Sequence, residues 1–72
     1  MSPQIIWESA LDDRYEVQVV RLAPYIGKLT ISDNGEEIFS QQVALSYGAV
    51  FGPDVSDIAE WQEIAVNFID NK

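Results

Sequence analysis

The chain has 72 residues, twelve carboxylates against four Lys and Arg, a net charge of −8, and neither cysteine nor histidine. Without thiol or imidazole there are no disulfides, thiol nucleophiles, imidazole bases, haem ligands or histidine-bound zinc, and with so few cations duplex DNA and anionic membrane are poor direct partners. A hydrophobic fraction of 47% with 11% aromatics is too apolar for a disordered acidic tail, so one small domain is expected over residues 1–72.

Met1 to Glu8 has no basic stretch and no long apolar run, which excludes a signal peptide or membrane span there and leads to the expectation of a soluble cytoplasmic protein. Ile5 to Ala10 is predicted as a strand that turns at Asp12-Asp13. Tyr15 to Leu22 alternates Tyr15, Val17 and Val19 with Glu16 and Gln18 on a β-branched run, the pattern of a half-buried strand. Pro24 lacks an amide donor and biases Ala23 away from helix, so the chain turns between Leu22 and Ile26. Gly27 to Ser32 resumes the sheet, and pairing Val19 with Leu29 sets Val17 beside Ile31.

Asp33-Asn34-Gly35 is a strong hairpin signal with two readings, a two-residue turn or a three-residue loop closed by a glycine bulge. A plain two-residue turn would put Phe39 on the face of Thr30 and Lys28. The bulged loop pairs Leu29 with Phe39, brings Tyr25 near Val43, and is the expectation adopted, because a slip of one residue exchanges the two faces of a strand. The next strand runs from Glu37 to about Leu45. Gly52-Pro53-Asp54 then breaks the chain, with Asp54 as helix N-cap and Asp57 completing an approximate capping box or favouring the dipole. From Val55 to Ile69 the helical period gathers Ile58, Trp61, Ile64, Ala65, Phe68 and Ile69 in an apolar arc, widened by Val55, Ala59 and Val66. The fold class is therefore α+β: an antiparallel three- or four-stranded meander followed by one C-terminal helix packed on the sheet.

Carboxylates, hydroxyls and tyrosines are the remaining chemistry, and no pair of acids is singled out by spacing. No catalytic residue, cofactor or metal ligand is assigned, and Asp54, Asp57 and Glu60 are read as helix-start and solvated acids instead of a cation site. After Lys28 no cation occurs until Lys72, and Glu60, Glu63 and Asp70 line the polar side of the helix with Asn67. Such a strip is ordinarily a solvated face; the functional alternative is an acidic nucleic-acid mimic that occupies a DNA-binding protein. The connection Leu45 to Pro53 is apolar and aromatic where a loop is usually polar, so Tyr47 and Phe51 either close the core or act as binding anchors. Trp61 is expected in the core, and Trp7 in the core or at a dimer contact.

The stretch Leu45-Ser46-Tyr47-Gly48-Ala49, followed by Phe51-Gly52-Pro53-Asp54-Val55 and by Trp61, resembles the small acidic proteins of unknown function encoded by bacteriophages of mycobacteria and related actinobacteria. The resemblance implies a non-enzymatic accessory protein that acts by binding a host protein, and it carries over no catalytic or binding residue. Together these readings favour a protein-binding module for a partner with a basic or apolar surface, with Tyr47, Phe51, Glu60, Glu63 and Asp70 as candidate contacts. A nucleic-acid mimic and a structural homodimer using the spare apolar width of the helix are the alternatives.

Overall fold

A computed structural model describes residues 4–46 and 52–71. Four strands follow in chain order, β1 (Ile5–Leu11), β2 (Tyr15–Ala23), β3 (Ile26–Asp33) and β4 (Glu36–Ala44), and then one helix, α1 (Val55–Asp70). The sheet order is β1-β2-β3-β4 with every pair antiparallel, so the α+β meander expected from the residue pattern is the architecture. Val19 pairs with Leu29 and Val17 with Ile31, and all four are buried on the face that α1 covers. Tyr15, Val43, Leu45, Trp61 and Ala65 complete the buried core.

The β3–β4 hairpin differs from the expected register. Asn34 and Gly35 both take positive φ, 55° and 87°, and Asp33 pairs with Glu36, so the turn has two residues and no loop bulge. The bulge lies further on, at Ile38, after which Ile31 pairs with Phe39, Leu29 with Gln41 and Gly27 with Val43. Asn-Gly thus takes the left-handed pair of conformations it favours. The face error that a plain two-residue turn would cause is corrected one pair later, where Ile38 and Phe39 both pack towards the core. Tyr25 does not lie beside Val43; it occupies the β2–β3 turn, and its carbonyl accepts a bond from the Leu45 amide at 2.9 Å. β1 has a similar irregularity between Ile5 and Trp7, which lets the consecutive Ile6 and Trp7 both pack against the core.

Trp7 meets Trp61 with ring centroids 5.8 Å apart, and Phe39 meets Phe68 at 4.4 Å, so the helix is held to both edge strands by aromatic pairs. Trp61 and Ala65 are buried, and Ile58, Ile64, Phe68 and Ile69 are half-buried around them. The apolar arc is wider than the sheet covers, leaving Val55 80% and Val66 40% exposed. Gly27 is required by close packing, since a Cβ there would lie 3.0 Å from Leu45 Cδ2 and 3.2 Å from Val19 Cγ1.

Candidate functional site

Asp57 is the main departure from the expected helix start. Asp54 is the N-cap by backbone conformation, yet its side chain makes no capping bond and instead accepts from Ser56 Oγ at 3.0 Å. Asp57 is neither a capping-box partner nor a solvated acid: it is only 5% exposed and accepts from the Ser46 amide at 2.9 Å and from Ser46 Oγ at 2.8 Å. The amide that begins the chain's departure from β4 needs an acceptor once it leaves the ladder, and the first turn of α1 supplies one. This bond pair fixes the two ends of the connection from which Tyr47 and Phe51 arise. Tyr47 and Phe51 themselves lie outside the described residues.

The acidic strip is formed as expected. Glu60, Glu63, Asn67 and Asp70 are all exposed on the outward side of α1, and none of the three acids has an ion-pair partner among the described residues. Asp57 leaves this strip for the interior, which shortens it. Asp70 also borders a groove of about 130 Å³ with Leu11, Asp12, Val66 and Ile69. Basic side chains are engaged elsewhere: Arg14 donates from Nε and Nη2 to the two carboxylate oxygens of Asp33 at 2.9 and 2.8 Å, linking the β1–β2 and β3–β4 turns. Hydrogen bonding to Asp33, and then its charge, raise the Arg14 guanidinium above its ordinary pKa. Lys28 approaches Glu37 at 4.0 Å.

A second surface lies where the residue pattern placed only a turn, between Leu22 and Ile26. Ile5 is 50%, Leu22 55%, Tyr25 66% and Ile26 37% exposed, and all belong to the end of the sheet where β2 turns into β3. Register places Ile5 opposite Val20 and Ile26 opposite Ala44 on the face away from α1. Arg21 holds this end together, donating from Nε to Gln4 Oε1 at 3.0 Å and from Nη1 to the Pro24 carbonyl at 2.9 Å. The Leu45 amide binds Tyr25, which brings the close of β4 to this same end. The uncovered face also holds a groove of about 310 Å³ lined by Glu8, Ser9, Ala10, Glu16, Val17 and Gln18.

No family model, curated protein or solved structure matches the chain. Among the described residues no helix is long and apolar enough to cross a membrane, and no group of three or more acids is gathered as a metal site.

Proposed function

We propose that the protein is a non-enzymatic binding module that docks a partner protein through the apolar end of its sheet. The observation that supports this is the exposure of Ile5, Leu22, Tyr25 and Ile26 together in so small a domain, since contiguous apolar surface of this kind commonly marks an interaction site. Tyr25 supplies the sort of aromatic anchor on which binding energy concentrates, and the aromatic stretch of the sequence adds Tyr47 and Phe51 as candidate anchors. The partner's complementary surface is apolar at its centre with basic residues outside it, because the rest of this molecule is acidic. A role as a phage-encoded modulator of a host protein, acting in the cytoplasm, follows from the sequence resemblance alone.

Glu60, Glu63 and Asp70, exposed and without an ion-pair partner among the described residues, support a second reading, mimicry of a phosphate row. The two are separated by affinity capture from an actinobacterial lysate with the full chain, at two salt concentrations. Docking by the apolar end predicts capture that survives the higher salt, is lost in Leu22→Ser and Tyr25→Ser, and weakens in Tyr47→Ala and Phe51→Ala variants that remain folded. Capture lost on raising salt and on neutralising Glu60, Glu63 and Asp70 to Gln, Gln and Asn would instead establish mimicry. A protein retained equally by all variants refutes both.

A further inference from the structure

The two edges of the sheet are built differently. β1 carries the exposed Glu8 at its centre and an irregular register at Ile6, both of which discourage pairing with another strand. β4 has no charged residue from Ile38 to Ala44, and its acids, Glu36 and Glu37, stand together at one end. Because the Leu45 amide bonds to Tyr25 across from β4, alternation directs the amides and carbonyls of Ser40, Gln42 and Ala44 away from β3 and into the open edge. Gln41 shares a face with Leu29 yet is exposed, so the middle of this strand stays open to solvent between the half-buried Phe39 and the buried Val43.

We infer that β4 pairs antiparallel with β4 of a second copy of this chain, centred on Gln41, joining two sheets into one. The strand is self-complementary about that point. Phe39 then faces Val43 of the second copy on the helix side, an aromatic against a β-branched residue, while Ser40 faces Gln42 on the other side and each such pair exchanges both backbone bonds. Charge selects the direction: antiparallel pairing sends the two Glu36-Glu37 pairs to opposite ends, beside the uncharged Ala44 and Leu45, whereas parallel pairing would stack them. The same operation on β1 about Glu8 would oppose two carboxylates. The half-buried Phe39 and Phe68, 4.4 Å apart, flank the edge, so the second copy also covers apolar surface that one copy leaves wet. A single core of 72 residues without disulfides gains the supplement small domains usually need.

Sedimentation equilibrium of the full chain over a micromolar range tests this, with a dimer as the expected mass. Gln42→Pro removes an outward amide donor at an edge position that tolerates proline in the monomer, and is expected to weaken association at least tenfold with an unchanged far-ultraviolet circular dichroism spectrum. Gln41→Glu and Gln41→Lys each place like charges on the two-fold axis and weaken self-association, and mixing the two restores a heterodimer. If Gln42→Pro fails to fold, the Gln41 pair decides. A wild-type chain that stays monomeric to high micromolar concentration, or a dimer indifferent to the Gln41 substitutions, overturns the inference.

Discussion

Replacing Asp57 by alanine tests whether the buried carboxylate joins helix to sheet or only decorates a helix start. The substitution strips the Ser46 amide and hydroxyl of their acceptor, and bonds to a charged group contribute roughly 1.5–3 kcal/mol for each while a half-buried donor is left with partial access to water. Taking the low end for both, and adding about 0.3–1 kcal/mol for losing an acid in the first helical turn, the cost is about 3–4 kcal/mol. Against a total of about 4–11 kcal/mol for a domain of this size, that is about a quarter or more of the stability. Ser46→Ala removes only the hydroxyl bond and should cost about 1.5 kcal/mol in the wild-type background and close to nothing in Asp57→Ala. Urea unfolding at 25 °C on the four members of this cycle measures the coupling directly. A loss below about 0.5 kcal/mol for Asp57→Ala, the scale of ordinary surface changes, or strict additivity with Ser46→Ala, would refute the tether.

Three further outcomes are expected, each read from denaturant or thermal unfolding. Asp13 holds φ 55° in the β1–β2 turn, so Asp13→Gly should stabilise by about 0.5–1 kcal/mol, whereas Gly35→Ala at φ 87° should destabilise by about 1–2 kcal/mol; a matching sign for both would remove the conformational argument. Gly27→Ala forces a methyl into contact with Leu45, Val19 and the Val20 carbonyl and should cost about 1–3 kcal/mol, with part of the loss recovered in a Leu45→Val background. Trp61→Ala should cost about 3–5 kcal/mol, while Val66→Lys, on the exposed flank of the same helix, should stay within about 0.5 kcal/mol and leave the mass in solution unchanged. A change of mass with Val66→Lys would point to self-association through the helix instead of β4.

The β2–β3 register was legible because Val17, Val19, Leu29 and Ile31 alternate cleanly and only one pairing buries all four. The helix was legible from its period; the hairpin was legible at Asp33-Asn34-Gly35, but its three-residue bulged loop was not borne out, since Asn34 and Gly35 form a two-residue turn. The bulges were missed at Ile6 and Ile38, although the consecutive apolar pairs Ile6-Trp7 and Ile38-Phe39 carry the signal: two neighbours can share a face only where the strand is irregular. Asp57 gave no local sign, since an acid at that position also suits any helix start, and its distinguishing partner Ser46 is eleven residues away. Of the candidate contacts, Glu60, Glu63 and Asp70 share the outward side of α1 as the spacing implied. The apolar sheet end was readable in Leu22-Ala23-Pro24-Tyr25-Ile26, a turn richer in large apolar residues than turn chemistry requires, but proline drew attention to the bend and not to what it exposes.

The meander order means that each strand pairs only with its neighbour in sequence, so the sheet can assemble from short loops in the sequence order of its hairpins. Topologies dominated by such near-neighbour contacts fold faster than those built on distant pairings. α1 comes last in the chain, however, and until it docks, Trp7, Val17, Val19, Leu29 and Ile31 present an open apolar face. During synthesis the sheet therefore waits for its lid, and the interval before Trp61 reaches Trp7 is when the nascent protein is most exposed to chaperones, proteases and its own neighbours.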